Sequence, residues 1–116
     1  MIERLSSRQS FDQLRADGQR RGRGPIRLLF RPTTTQSAHV AFAIPRTVGN
    51  AVVRNRTKRR LRAILQDMDH AAAGLPGGDY LIRVTAPIEH WSHTRLHHTM
   101  AELLLPEVEP VGEDRR

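Results

Sequence analysis

The chain has 116 residues, enough for one domain, and 38% of them are hydrophobic, enough for one modest core. It has no cysteine, which excludes disulfides and thiolate metal sites, and no apolar run approaches the ~20 residues of a membrane span. Because MIERLSSRQS lacks the apolar region of a signal peptide, we expect a cytoplasmic protein.

The net charge of +7 is distributed unevenly along the chain. Residues 1–62 carry fifteen Lys and Arg against three acids, whereas residues 63–116 carry four against nine. A solvated basic surface would have acids interleaved among its cations. Concentrated positive charge instead favours a polyanionic partner, either nucleic acid or an anionic membrane surface.

The first half of the chain predicts one helix and two strands. Ser6 or Ser7 caps a short helix that ends near Gly18. The basic stretch GQRRGRGP is interpreted as a loop or an irregular edge. The segments IRLLFR and HVAFAI alternate in hydrophobicity and predict strands, and Pro45 ends the second one.

The second half predicts a long helix, a strand and a final helix. Apolar residues at helical spacing predict a helix from about Val53 to His70; they are Leu61, Ile64, Leu65 and Met68. DYLIRVT predicts a strand, and Trp91-Ser92 opens a helix that Pro106 ends. The order of elements predicts an α/β (α+β) two-layer sandwich, with three helices on a small mixed sheet. Residues 1–105 form this single domain, and residues 106–116 are expected to be a flexible tail.

The predicted long helix has an apolar side and a strongly basic side. Its cations repel one another at i, i+4 spacing, as Lys58 and Arg62 do, and most lie where the helix dipole disfavours them. Such local frustration is expected where function requires it, and phosphates would relieve it. Asn55 can bond a base edge, a 2′-hydroxyl or the neighbouring backbone, and these interpretations stay open.

The segment VGNAVVRNRTKRRLR closely resembles the signature of the protein component of bacterial ribonuclease P. RLSSRQSFDQL, HVAFAIPR and GGDYLIRVTAP are similar to other parts of that family, whereas residues after Pro106 have no counterpart. In this ribonucleoprotein the RNA subunit removes the 5′ leader from precursor tRNA. The resemblance implies a left-handed βαβ crossover through the Arg-Asn-Arg helix, an exception to the usual right-handed rule.

The resemblance also implies two sets of binding residues. The first faces RNA, mainly the catalytic RNA subunit: Arg46, Asn50, Arg54, Asn55, Arg56, Lys58, Arg59 and Arg62. The second lines a cleft for the single-stranded leader, between the first helix and the sheet: Phe11, Arg15, Ile26, Arg27, Leu28 and Arg31. Asn50 is also a possible helix cap, and Phe11 has the alternative of being a core residue.

The predicted cleft departs from the family in its aromatic positions. Arg15 stands where the family often has a second aromatic residue, and Ile26 and Leu29 stand where it usually offers Phe and Tyr. Arg46-Thr47 replaces the usual Lys-Lys. Because each base–aromatic stack is worth ~1–3 kcal/mol, we expect charge to do more of the leader binding here. The cations expected to supply it are Arg15, Arg27, Arg31 and Arg46.

The sequence shows no catalytic constellation. His93 and His97 have zinc-ligand spacing, but a third ligand and the Glu of HExxH are missing, so we expect surface histidines and no metal site. The resemblance implies that RNA performs the hydrolysis, with Mg²⁺ bound mainly by the RNA subunit and none held by the protein alone. The expected partners are that RNA and the precursor tRNA leader, with no membrane and no protein partner required.

Two other classes of protein stay open. A ribosomal or regulatory module that binds RNA or DNA would be distinguished by comparing structured RNA, duplex DNA and precursor tRNA in a gel shift. A peripheral membrane protein is disfavoured, because the apolar stripe of the basic helix lacks aromatic anchors and is needed for the core.

Overall fold

The computed structural model describes residues 2–34, 36–71 and 74–105, and the predicted flexible tail lies outside them. The described residues form five strands and three α-helices. In chain order these are β1 (Ile2–Arg4), α1 (Arg8–Asp17), β2 (Gln19–Arg23), β3 (Ile26–Pro32), β4 (Ala38–Ala43), α2 (Ala51–His70), β5 (Gly78–Val84) and α3 (His93–Leu104). A single 3₁₀ turn, Arg46–Val48, precedes α2.

The strands form one mixed sheet in the order β1-β4-β5-β3-β2. The pairs β1–β4 and β4–β5 are parallel, whereas β5–β3 and β3–β2 are antiparallel. Because α2 joins the parallel neighbours β4 and β5, the predicted crossover helix and mixed sheet are confirmed. The left hand of that crossover stays a prediction.

Neither edge strand, β1 or β2, was predicted from the sequence. The stretch interpreted as a loop or irregular edge contains β2, which pairs with β3 from Gln19 opposite Phe30 to Arg23 opposite Ile26. Nearly all its residues are polar and exposed, so it carries no alternation of hydrophobicity. β1 has only three residues, too few to show any period. Pairing with a neighbouring strand, rather than local sequence, specifies both.

The sheet separates two clusters of apolar side chains. The main core joins α2 and α3 to one face of the sheet, with Leu28, Val40 and Ile82 among its strand residues. A smaller cluster of Leu5, Leu14 and Leu29 packs α1 on the other face. The sheet and the α2–α3 layer are therefore the two main layers. On the opposite face of the sheet, α1 forms a partial third layer and leaves part of that face uncovered.

The turn before α2 fixes where that helix begins. The Asn50 side chain accepts a hydrogen bond from the Val53 N–H at 3.0 Å and caps the helix. Gly49 has a φ of 154°, and a Cβ there would lie 2.7 Å from Val53 Cγ1, so the position requires glycine. α2 therefore begins at Ala51, two residues earlier than predicted, and its predicted apolar stripe is buried in the main core.

Candidate nucleic-acid interface

The basic face of α2 consists of Arg54, Asn55, Arg56, Lys58, Arg59 and Arg62. All of these side chains are exposed except that of Arg54, which is half-buried and donates from Nε to the Gly49 carbonyl at 3.2 Å. Within the described ranges no carboxylate forms an ion pair with any cation of this face. Its charge therefore remains available to an external anion. Arg46, in the turn before the helix, is also exposed.

Arg60 differs from its neighbours on the same helix. Its guanidinium donates to the Trp91 carbonyl at 2.7 Å and to the Ile88 carbonyl at 3.3 Å. These two bonds join α2 to the loop that leads into α3. In the sequence, Arg60 differs from the other cations of the helix only in bordering the apolar stripe on the helical wheel. Its role is structural, and it holds the basic face in place.

Asn50 was predicted both as an RNA contact and as a helix cap. The cap is confirmed by the hydrogen bond that its Oδ1 accepts from Val53. The exposed amide group of the same side chain is left for an RNA contact, which stays a prediction. Asn55 is exposed on the basic face, one turn beyond the cap.

A second basic surface, the arginine groove, lies between the C-terminal half of α1 and the sheet. Its volume is about 540 Å³, and no acidic side chain lines it. The Arg21 guanidinium is occupied by the Leu103 carbonyl and Gln19 Oε1, at 2.9 and 3.0 Å. The groove is lined by Arg15, Arg20, Arg21, Arg27, Leu28, Leu29, Ala43, Leu81, Arg83 and Thr85.

The groove contains two of the predicted leader-binding cations and three arginines that were not predicted. Arg15 and Arg27 line it, and Arg15 also forms an exposed ion pair with Asp12 at 3.5 Å. Arg20, Arg21 and Arg83 are the three that were not predicted. Arg20 belongs to the strand that was interpreted as a loop, and Arg83 lies opposite Arg27 in the β3–β5 register. The sequence alone does not show that Arg27 and Arg83 are cross-strand neighbours, because this depends on the register of β3 and β5.

Two apolar residues predicted for the leader cleft belong to the main core. Ile26 is 0% exposed and faces α2 and α3, so its assignment to the cleft is wrong. Leu28 borders the groove, but its side chain is 3% exposed and packs in the same core. Because side chains alternate between the faces of a strand, Leu29 is the residue of β3 that packs toward α1.

The remaining predicted cleft residues lie outside the arginine groove. Phe11 is half-buried against the cluster under α1, and the Arg15 guanidinium carbon lies 5.9 Å from its ring centroid. Arg31 lies 3.8 Å from the buried carboxylate of Asp79, which His39 approaches from the other side at 4.0 Å. Arg31 is therefore engaged in an ion pair. Arg46 does not line the groove either.

The histidines of α3 were considered as metal ligands from their spacing. The rings of His93 and His97 have centroids 5.9 Å apart, and His98 lies 3.4 Å from Glu102. The described part of the chain holds no group of three or more His, Cys, Asp or Glu side chains placed to bind a metal ion. None of its helices combines the length and apolarity needed to cross a membrane.

An α+β sandwich with an unneutralised basic helix and an arginine groove defines a polyanion-binding protein. The family model described as Ribonuclease P matches residues 2–106. The Ribonuclease P protein component of a Nocardioides species is 35% identical over 88% of each chain, and that of Beutenbergia cavernae is 44% identical over 53% of this chain and 52% of its own. The chain therefore belongs to the ribonuclease P protein family, whose members bind RNA and serve tRNA processing.

Solved structures show the same fold at lower sequence identity. The RNase P protein of Staphylococcus aureus superposes with a TM-score of 0.74 at 15% identity, covering 91% of this chain and 94% of its own. The RNase P protein of Thermotoga maritima gives 0.72 at 21% identity, covering 88% and 94%. The predicted fold class is thereby confirmed.

The contrast between Arg60 and Arg59 is directly testable. Replacing Arg60 with Ala removes a charged donor from two carbonyls and should lower the free energy of unfolding by about 1.5–3 kcal/mol. The neighbouring Arg59→Ala change, on an exposed side chain, should alter it by less than about 0.5 kcal/mol. Urea unfolding followed by circular dichroism measures both. Equal effects of the two substitutions would contradict a structural role for Arg60.

Proposed function

We propose that this chain is the accessory protein subunit of ribonuclease P, and that its RNA partner carries out the hydrolysis that removes the 5′ leader of precursor tRNA. The basic face of α2 carries this proposal. That face lies on the helix that contains the family signature, and no described carboxylate neutralises it. We assign it to the RNA subunit, because a large folded RNA supplies closely spaced phosphates.

The physical basis of this binding is the relief of repulsion between like charges. The cations of α2 stand one turn apart along the helix, so each raises the electrostatic free energy of its neighbours. Each phosphate that they neutralise releases a counterion, which favours binding and makes it strongly dependent on salt. Arginine adds bidentate hydrogen bonds to phosphate oxygens that lysine cannot form. Because the buried stripe and Arg60 anchor α2, the cations are already arranged before RNA arrives.

We assign the arginine groove to the single-stranded leader of precursor tRNA. The groove presents the guanidinium groups of Arg15, Arg20, Arg27 and Arg83 and no carboxylate, which suits a phosphate backbone. Arg27 Nη1 donates to the Gly24 carbonyl at 2.6 Å, so we assign the phosphate contact of Arg27 to its other N–H groups. No aromatic side chain lines it, so it offers no platform on which bases could stack. Leader binding in this groove should therefore depend strongly on salt and weakly on base identity.

We assign Mg²⁺ mainly to the RNA subunit, and the contribution of the protein is electrostatic. Cations of the basic face reduce repulsion between phosphates that approach one another in the assembled particle. This effect raises substrate affinity and allows metal ions to occupy sites formed by RNA. A separate ribosomal or regulatory role is not favoured, because the chain belongs to the ribonuclease P protein family.

The assignment of α2 predicts the effect of charge reversal. Changing Arg56 and Arg59 together to Glu should weaken binding to the RNA subunit by roughly 100-fold or more, because it removes two phosphate contacts and adds two repulsive charges. The fold should remain intact, since both side chains are exposed. Filter binding measures the affinity, and circular dichroism monitors the fold.

A matched control for this experiment changes the net charge by the same amount elsewhere. Arg8 and Arg95 are exposed and lie outside the basic face and the arginine groove. Their joint change to Glu should leave the affinity for the RNA subunit within about threefold at moderate salt, where distant charges are screened. An Arg56/Arg59 variant that binds within twofold of the wild type would overturn the assignment of α2.

The assignment of the groove predicts a change in salt dependence. Changing Arg27 and Arg83 to Gln should lower the holoenzyme's affinity for precursor tRNA. It should also reduce the slope of log affinity against log salt by about 1.4, since each single-strand phosphate contact contributes about 0.7. Mature tRNA without a leader is the control, and its affinity should stay unchanged. The same loss for mature tRNA would show that these arginines do not contact the leader.

A further inference from the structure

The chain leaves α3 beside the edge strand β2. The Arg21 guanidinium donates to the Leu103 carbonyl at 2.9 Å, and Arg23 lies 3.7 Å from Glu102. These two contacts hold the last turn of α3 against β2. The residues that follow Leu105 therefore start at this edge of the sheet.

The same strand forms one side of the arginine groove. Successive side chains of a strand point to opposite faces, so Arg20 lines the groove whereas Arg21 reaches the end of α3. The groove continues across β3 and β5 to Arg27 and Arg83. Because neighbouring strands are about 4.8 Å apart, it begins at the edge where α3 ends and extends roughly 10 Å inward.

Most of the positive charge in the groove lacks a counterion among the described residues. Arg15 forms an exposed ion pair with Asp12. Within residues 2–34, 36–71 and 74–105, no carboxylate forms an ion pair with Arg20, Arg27 or Arg83. The positive potential of such a cluster favours an anionic chain in the groove.

The sequence after Leu105 supplies the opposite charge. Residues 106–116 read PEVEPVGEDRR and lie outside the described ranges. Residues 106–114, here called the acidic segment, contain four acids and no Lys or Arg. The acids are Glu107, Glu109, Glu113 and Asp114. The acidic segment thus follows directly after the point at which the chain passes the edge of the groove.

The length of this part of the chain suits the distance to the groove. A flexible chain of eleven residues spans roughly 17–20 Å on average and at most about 36 Å when extended. Groups joined by so short a connection meet at an effective concentration on the order of 1 mM. A contact with a dissociation constant of about 1 mM is then formed about half of the time. Weak, exposed ion pairs are therefore sufficient.

The basic face of α2 is farther from the start of the acidic segment. Lys58 and Arg62 of that face border a cavity together with Ile2 and Arg4 of β1. β1 and β2 are the opposite edges of the five-stranded sheet, so roughly 19 Å separates them. A chain that starts beside β2 reaches the arginine groove first.

We propose that the acidic segment occupies the arginine groove in the free protein and that the bound leader of precursor tRNA displaces it. Glu107 and Glu109, the acids nearest to α3, are the main counterions of the groove. The docking goes beyond the proposed function, whereas the displacement rests on it. The segment thereby excludes polyanions that bind weakly and admits the leader, which the assembled holoenzyme presents at high local concentration.

The docking is tested in the free, full-length protein by paramagnetic broadening of NMR signals. A Val111→Cys variant carries a nitroxide label at its single cysteine, because the chain has no other. At low salt, the label should broaden the amide signals of Leu29 and Leu81, which line the groove. The amide signals of Arg56 and Arg59, on the basic face of α2, should be broadened less.

Removal of charge should abolish the broadening in the groove. In the labelled protein, Glu107→Gln together with Glu109→Gln removes the two main counterions. About 0.5 M salt should have the same effect on the unsubstituted segment, because it screens exposed ion pairs. Asp67→Asn together with Glu89→Gln is the matched control. It removes the same charge from exposed positions outside the groove and should leave the broadening unchanged.

The displacement is tested by the affinity of the reconstituted holoenzyme for tRNA. Glu107→Gln with Glu109→Gln should raise the affinity for precursor tRNA roughly two- to threefold at low salt, because the groove is no longer partly occupied. The affinity for mature tRNA should stay unchanged, since it has no leader. The variant Asp67→Asn with Glu89→Gln should alter neither affinity.

Separate results would overturn each part of the inference. The docking is wrong if the label broadens the groove no more than α2, or if the broadening persists without the two carboxylates. Stronger broadening on α2 would place the acidic segment on the basic face. An unchanged affinity for precursor tRNA, or an equal gain in the matched control, would contradict the displacement. If the proposed function fails, wild-type holoenzyme binds precursor and mature tRNA equally, and the NMR experiment still decides the docking.

Discussion

The structure depends on one compromise, in which a helix crowded with like charge is anchored by its opposite side. Leu61, Ile64 and Leu65 are fully buried beneath the sheet, and Arg60 fastens the helix to the loop before α3. Burial of the apolar stripe stabilises the helix by several kcal/mol, whereas each like-charge pair costs only a few tenths. Packing therefore outweighs repulsion, and the cations can be held in a fixed array without protein counterions. A partner rich in phosphate removes the remaining electrostatic cost.

The face of the sheet that packs against α1 carries a second group of cations, in the arginine groove. α1 covers only part of that face, and the arginine groove lies where the cover ends. Guanidinium groups line the groove where aromatic surfaces would hold bases, which suits a phosphate backbone rather than a particular base sequence. Binding of folded RNA on α2 and of a single strand on the α1 face can then occur on the same molecule.

The sequence predicted elements that have a strong hydrophobic period. It did not predict features that depend on contacts between residues far apart in the chain. The stripe of α2 and the alternation of β3 and β4 identified those elements, and the residues of DYLIRVT indicated β5. The helix was nevertheless predicted to begin near Val53, two residues after the start that the Asn50 cap sets at Ala51. β2 could not be predicted, because its residues, QRRGR, show no alternation of hydrophobicity. They form a strand because they pair with β3. Alternation showed that Ile26 and Leu29 face opposite ways, but only packing of α1 against Leu29 showed which face forms the groove. The separate role of Arg60 likewise depends on carbonyls 28 and 31 residues away.

The claim that the basic face of α2 contacts the RNA subunit can be measured directly, because the chain contains no cysteine. A single cysteine carrying a photo-crosslinker can be placed at Ala63, which is exposed one turn beyond Arg59, or at Thr94, which is exposed on α3. In the assembled holoenzyme, the probe at position 63 should crosslink to the RNA subunit at discrete nucleotides, and the probe at position 94 should not. Crosslinks to the RNA subunit from position 94 with none from position 63 would contradict this account.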